Sequence, residues 1–246
     1  MAGDTIPRRG FLVGVGLAGT AAAAGVAANS PATAEVSAPN QPSATPGTAA
    51  AGNREAEPLL ALNEAEHAFI VAAVDTIIPA DDLSPSGNEC GVATFIDRQL
   101  ASAWGGGAKM YRSGPFLRGK PEQGYQLALT PREFFLAGIA ATNEWTRKTY
   151  GKDFDRLPAS ERISALTALE EGKADLGHVS ARQFFNALLT ITMEGFFADP
   201  IYGGNRNMAS WKMLGFPGLP ATYANIIEQY RDKPYTAAPQ SIADFS

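Results

Sequence analysis

The chain has 246 residues and a formal net charge of -5, from 20 basic and 25 acidic side chains. Apart from an arginine pair near the N-terminus, the basic residues are scattered, so a nucleic-acid surface is not expected. The single cysteine, Cys90, excludes an internal disulfide, and no Cys/His spacing typical of structural zinc or an iron-sulfur cluster occurs. We therefore expect that this chain alone binds no cofactor or metal.

The N-terminal residues have the pattern of an export signal. Arg8 and Arg9 stand just before Phe11 and Leu12, and a weakly apolar stretch rich in glycine and alanine follows. This order predicts a twin-arginine signal over residues 1–34, and hence a periplasmic protein exported in a folded state. An ordinary secretory signal and a membrane anchor are the alternatives, although the glycines make the stretch a weak membrane span.

A linker and one folded domain are predicted after the signal. Residues 35–61 are rich in Pro, Ala, Ser and Thr and carry few large apolar side chains, so burial cannot offset the entropy of ordering them. They are predicted to be a disordered linker. All three Trp, all seven Tyr and 12 of the 13 Phe follow Leu62, which places the core material in one block, residues 62–246.

The first two predicted helices lie just after the linker. Asn63 and Glu66 have the spacing of a capping box, apolar residues then recur at helical spacing, and Pro79 closes the helix. Apolar residues at helical spacing begin again at Val92 and continue to Trp104, where three glycines follow. A loop is predicted between the two helices.

The strongest helix signal in the chain begins at Thr130. Thr130 can cap the helix, Pro131 suits its first position, and Glu133 can bond back to the cap. A long helix is predicted from Pro131 to about Tyr150, because Gly151 then offers a C-terminal cap.

The remaining helices follow in chain order. Helices are predicted over residues 158–171 and 180–197, with short ones over residues 208–214 and 222–231. The helix over 180–197 is apolar nearly all round and should be the central one. No convincing alternation argues for a strand, so the predicted fold class is all-α, a single compact multi-helix domain.

A family resemblance enters at residues 195–218, which we call the signature segment. They read GFFADPIYGGNRNMASWKMLGFPG and resemble the signature of the gluconate 2-dehydrogenase subunit 3 family. The helix that ends at Pro79 and the arginine pair give weaker support. The resemblance covers roughly residue 62 to the C-terminus.

The resemblance implies an accessory role in a complex. A small subunit of this family assembles with a large flavoprotein of the glucose-methanol-choline oxidoreductase type, which holds FAD, and often with a cytochrome c subunit that holds haem. The small subunit commonly supplies the export signal for its partner. The implied substrate class is a sugar, a polyol or gluconate, with no catalytic residue expected in this chain.

The signature segment also suggests a docking surface on its residue types alone. Long polar loops on a rigid scaffold often mediate recognition, and Tyr, Arg and Trp are enriched at binding hot spots. Adjacent glycines permit a close backbone approach. The partner-binding residues predicted here are Asp199, Pro200, Tyr202, Gly203, Gly204, Asn205, Arg206, Trp211 and Lys212.

Other interpretations of this segment stay open. Asp199, Asn205 and Arg206 would instead tie the loop to the domain by buried hydrogen bonds, with Trp211 in the core. A phosphate site is not favoured, because the segment lacks the glycine spacing of dinucleotide and P-loop sites. A free-standing ligand-binding protein or enzyme with a pocket near Trp211 is the alternative function.

Four further side chains carry their own expectations. Glu194, inside an apolar helix, must turn outward or meet a partner such as Arg206, and we predict that it is paired. His67 and His178 lie far apart and are expected at surface or capping positions. Cys90, as the odd thiol of an exported chain, is either buried and inert or bridged to another chain.

Overall fold

The computed structural model describes residues 58–245 apart from residues 109, 118, 121, 122, 124, 220, 221 and 225. The helices in these ranges are α1 (Glu64–Ile77), α2 (Val92–Ala101), α3 (Pro131–Tyr150), α4 (Ala159–Glu170), α5 (Ala181–Phe197) and α6 (Ala209–Leu214). Short 3-10 helices lie at Phe154–Arg156, Pro200–Tyr202, Arg206–Met208 and Ile242–Phe245. The described ranges contain no strand, so the all-α prediction is confirmed. The predicted export signal and most of the predicted linker lie outside the described residues.

The helix starts follow from local side-chain chemistry. At α1, Asn63 accepts from the backbone N–H of Glu66, and the Glu66 carboxylate accepts from the backbone N–H of Asn63. Thr130 and Glu133 form the same reciprocal pair at α3. Both capping boxes satisfy N–H groups that a helix leaves without partners, and both confirm the predicted starts.

Helix α5 is the centre of the domain, as predicted. It contacts each of the other five described helices. Phe184 of α5 is fully buried and meets Phe69 of α1 and Phe134 of α3, with ring centroids 6.3 and 6.2 Å apart. Phe154 completes this aromatic cluster at 4.8 Å from Phe69. The tilted and edge-on ring geometries are those that aromatic pairs prefer.

A buried carboxylate ties the start of the domain to α2. Asp97 is 3% exposed, and its two oxygens accept the backbone N–H groups of Leu60, Ala61 and Leu62 at 2.8, 3.0 and 2.9 Å. Such charge-assisted hydrogen bonds are stronger than neutral ones. The last residues of the predicted linker are therefore attached to the domain.

Two predicted helices differ from those observed. Helix α2 ends at Ala101, before Trp104, because the Ser102 hydroxyl donates to the carbonyl of Gln99 and accepts the N–H of Trp104. The described residues of 222–231 form successive turns instead of a helix. That stretch buries few large side chains, and tertiary packing supplies most of the stability of a short helix.

Candidate partner-binding segment

The signature segment leaves the end of α5 and folds back over α2. Asp199 follows α5, and its Oδ1 accepts the N–H of Ile201 at 3.0 Å, which starts the 3-10 helix Pro200–Tyr202. Its Oδ2 accepts the N–H of Ile242 at 2.9 Å. One carboxylate thus fixes the first turn of the segment and attaches the C-terminal residues to it.

Asn205 is the centre of the hydrogen bonding within the segment. It is fully buried, and its Nδ2 donates to the carbonyl of Ala198 at 2.9 Å. Its Oδ1 accepts from both the backbone N–H and the hydroxyl of Ser210. Because Asn tolerates the left-handed backbone region better than most residues, its φ of 44° suits this residue type.

The glycine pair brings two backbones into contact. A methyl group on Gly204 would collide with the carbonyl oxygen of Gly195, inside α5. A methyl group on Gly203, where φ is 97°, would lie 2.7 Å from the guanidinium of Arg98. The loop therefore lies directly on α5 and α2, at a distance that only glycine permits.

Arg206 binds the segment to the turn before α2. Its backbone N–H donates to the carbonyl of Cys90 at 2.8 Å. Its guanidinium donates to the hydroxyl of Thr94 at 3.1 Å and lies over Gly91, where a methyl group would be 2.8 Å from Nε. The side chain is half-buried, and these contacts direct it into the domain.

Trp211 is a packing residue of this region. It is 6% exposed, its indole N–H donates to the carbonyl of Phe197 at 3.0 Å, and its ring meets that of Phe216 edge-on at 5.3 Å. A buried indole normally has such a hydrogen-bond partner. The contacts of Asn205, Arg206 and Trp211 are therefore those expected if these residues tie the loop to the domain.

The outer side of the segment carries the exposed side chains. Tyr202 is 51% exposed and Ile201 is 47% exposed, and Lys212 and Asn207 are also exposed. Of the nine predicted partner-binding residues, Tyr202 and Lys212 therefore face solvent most openly. Ile201 was not among the predictions, and an apolar residue between Pro200 and Tyr202 was the available signal.

The turn that begins at Asn205 carries backbone strain. Asn207 and Met208 also have positive φ, 57° and 54°. Methionine rarely adopts this region, and such outliers persist only when the surroundings hold them. The hydrogen bonds of Asn205 on either side supply that support, so the segment is held in one shape.

The prediction that Glu194 is paired, with a partner such as Arg206, is wrong. Arg206 donates to Thr94, while Glu194 turns outward and, among the described residues, makes no hydrogen bond or ion pair. Glu194 lines a cavity of about 470 Å³ with Phe135 and Ile191. Loss of water beside these walls raises the pKa of the Glu194 carboxyl above its ordinary value.

Sequence reasoning missed Asp97 and Gly91. Asp97 holds residues 60–62 at the start of the domain, whereas Gly91, with φ of 84°, starts α2 beneath Arg206. A lone acidic residue among the apolar positions of α2 was the signal for Asp97. Cys90 is 1% exposed, with its sulfur 3.7 Å from the carbonyl of Pro85.

The histidines lie at or near the surface, and His178 is exposed while His67 is half-buried. Across the part of the chain that the structure describes, no group of three His, Cys, Asp or Glu side chains is placed to hold a metal. Within the same part, no helix is both long and apolar enough to cross a membrane.

The fold and the segment define a class of protein, a small all-α domain that presents a rigid irregular segment beside its central helix. Residues 64–218 match the family model described as gluconate 2-dehydrogenase subunit 3, and the chain belongs to that family. No curated protein and no solved structure matches the chain. Family membership makes it an accessory subunit and implies a multi-subunit dehydrogenase complex.

Proposed function

We propose that this chain is the non-catalytic small subunit of a periplasmic FAD-dependent dehydrogenase of the glucose-methanol-choline type. The complex oxidises a sugar, a polyol or gluconate. The large flavoprotein subunit holds FAD, a cytochrome c subunit holds haem where the complex includes one, and this chain binds neither. Its role is to bind the flavoprotein, stabilise its folded form and carry it through the twin-arginine route.

One observation carries the binding role: the signature segment is rigid on its inner side and exposes apolar side chains on its outer side. Asn205 and Gly204 fix the backbone, while Ile201 and Tyr202 remain about half exposed. A surface that is already ordered loses little entropy when it binds. Exposed tyrosine supplies large contact area with few rotatable bonds, which suits a hot spot.

The nine predicted residues then divide between two tasks. Tyr202 and Lys212 would contact the flavoprotein, together with Ile201. Asp199, Pro200, Gly203, Gly204, Asn205, Arg206 and Trp211 would hold the segment in shape. Substitution of a buried member therefore weakens binding through the shape of the loop, and substitution of an exposed member weakens it directly.

The binding role is tested with the flavoprotein whose gene neighbours that of this chain. Co-expressed wild-type chain is expected to co-purify with it, whereas Ile201→Asp and Tyr202→Ala should lower the affinity about tenfold or more, the scale of a hot-spot residue. Ile163→Asp is the matched control, because Ile163 of α4 is equally apolar and 53% exposed. A missing neighbour gene, or equal loss in all three variants, would contradict the proposal.

The export role is tested with Arg8 and Arg9. Replacing both by Lys is expected to leave this chain and the flavoprotein in the cytoplasm, because the signal is disabled for the pair. Arg54→Lys, in the predicted linker, serves as the control. Full export and activity of the flavoprotein in cells that lack this chain would refute the proposed role.

The alternative, a free-standing ligand binder or enzyme, would use a pocket near Trp211. Trp211 itself is buried and does not line a described cavity. The nearby cavity is lined by Gly215 and Phe216, which follow it in the chain. Turnover of a sugar or polyol by the purified chain without flavoprotein would favour this alternative.

A further inference from the structure

The C-terminal tail, residues 219–245, lies beyond the family match, which ends at residue 218. It nevertheless folds onto the signature segment. The N–H of Leu219 donates to the carbonyl of Gln240 at 2.9 Å, and the N–H of Gln240 donates to the carbonyl of Pro217 at 3.1 Å. Ile242 adds its hydrogen bond to Asp199. The tail thus extends the surface of the signature segment beyond the residues of the family match.

A groove lies between the tail and the end of the signature segment. We call it the tail groove; its volume is about 510 Å³, and Phe216, Pro217, Tyr223, Ile227, Tyr230 and Tyr235 line it. Its size falls in the range of pockets that bind ligands, about 300–1,000 Å³. Tyr235 meets Tyr230 and Tyr223 edge-on, with ring centroids 4.8 and 5.8 Å apart. These contacts support the walls of the groove.

The groove exposes apolar surface to water. Ile227 of the tail is 60% exposed, and Phe216 of the signature segment is 45% exposed. Ile201 and Tyr202 are further exposed apolar side chains of the signature segment. Exposed apolar side chains that line one groove, as Phe216 and Ile227 do, are typical of an interaction site.

The charges at the groove are basic. Lys233 lines it, Lys212 is exposed on the signature segment, and neither has an ion pair within the described residues. Arg231 is paired with Glu228. Lys233 is therefore the lining cation without an ion pair among the described residues, and it favours a partner segment that carries a carboxylate.

We infer that the tail groove seats an apolar segment of the flavoprotein, flanked by an acidic residue that meets Lys233. Because the tail lies outside the family match, this contact selects the chain's own flavoprotein from those of other family members. The inference rests on the proposed function, since it places a second contact beside the signature segment. Phe216 and Pro217 belong to the signature segment and also line the groove, so one partner can cover both surfaces.

The test compares full-length variants for affinity to the purified flavoprotein. Ile227→Asp should weaken binding about tenfold, because it places a carboxylate in an apolar groove. Lys233→Glu should weaken binding less, and the salt dependence of its association rate should be smaller than that of the wild type. Ile163→Asp on α4 and Lys152→Glu, an exposed residue outside the segment, are the matched controls. Circular dichroism checks that each variant is folded. If Ile227→Asp fails to fold, the groove is tested with Lys233→Glu alone.

Each outcome separates the two proposals. Weakened binding in Tyr202→Ala but not in either groove variant overturns the groove inference and leaves the proposed function standing. Unchanged binding in all three overturns both. If Ile227→Asp changes the elution volume of the chain by itself, the groove is covered by a second copy and the inference is wrong. Transfer of the tail to another family member should transfer preference for this flavoprotein, and failure to do so contradicts the selective role.

Discussion

The side-chain oxygen of Asn205 accepts hydrogen bonds from both the backbone N–H and the hydroxyl of Ser210, at 3.0 and 2.8 Å. These bonds close the turn between the glycine pair and α6. Helix α6 has six residues and would be marginal alone, because a helix that short does not repay the cost of its first turn. The position of Trp211, the next residue, therefore depends on Asn205.

Asn205→Ala is predicted to destabilise the domain by about 3 kcal/mol, because it removes the partner of the buried N–H of Ser210 and of the partly buried carbonyl of Ala198. Asn207→Ala is the control. Asn207 has a similar positive φ but is exposed, so it reports the backbone cost alone, about 1 kcal/mol. Urea unfolding of both variants measures the difference. Equal losses would mean that the hydrogen bonds contribute nothing.

Gly204→Ala is predicted to cost about 2 kcal/mol or more, because the added methyl group would displace the loop from the carbonyl of Gly195. Gly106→Ala is the matched control, since neither glycine has a positive φ and the nearest atom at Gly106 is 3.5 Å away. The control should be neutral or slightly stabilising. Thermal unfolding separates the two, and similar melting temperatures would contradict the close approach. The same displacement should weaken binding to the flavoprotein.

The helix starts could be predicted because their signals are local. Asn63 with Glu66, and Thr130 with Glu133, place cap and partner three residues apart, so spacing alone identifies them. The central position of α5 followed from the amount of apolar surface it carries. None of these predictions required knowledge of another element.

The inner contacts of the signature segment could not be predicted, because they depend on distant residues. Arg206 donates to Thr94, 112 positions away, and a sequence gives no distance between them. The residue type of Arg206 suggested an ion pair with nearby Glu194, but the turn at Gly91 directs the guanidinium toward α2. Likewise, Gly203 and Gly204 predict that the loop lies close to another part of the chain, but the sequence does not show that this part is the backbone of Gly195.

Asp97→Asn is predicted to loosen the start of the domain, with a loss of about 2 kcal/mol. Asn keeps one oxygen for Ala61 and Leu62, but its amide nitrogen then faces the N–H of Leu60. Amide hydrogen exchange should therefore accelerate most at Leu60.

Asp75→Asn is the control for this change, because Asp75 accepts a single N–H, that of Asn88. Its effect should be smaller and confined to the loop before α2. Unchanged exchange at Leu60 in Asp97→Asn would show that the carboxylate does not hold the start of the domain.

Glu194→Gln is predicted to change how stability depends on pH. The pKa of Glu194 is raised above 4.5 by burial, so the folded chain binds more protons than the unfolded chain just above pH 4.5. The free energy of unfolding therefore falls as pH rises through that window. The glutamine amide cannot ionise, so the variant should gain stability relative to the wild type at pH 7 and not at pH 4. The gain should stay below about 1 kcal/mol, because the carboxyl is partly exposed.

Glu133→Gln provides a control of opposite sign. The pKa of Glu133 is lowered chiefly by the hydrogen bond from the backbone of Thr130, so its contribution is present above pH 4.5 and is lost as pH falls through the lowered value. Gln can still close the capping box, but the charge at the start of α3 is gone. Glu133→Gln should therefore lose stability at pH 7 and converge with the wild type in acid. If both variants shift in the same direction at pH 7, the cavity walls do not control the ionisation of Glu194.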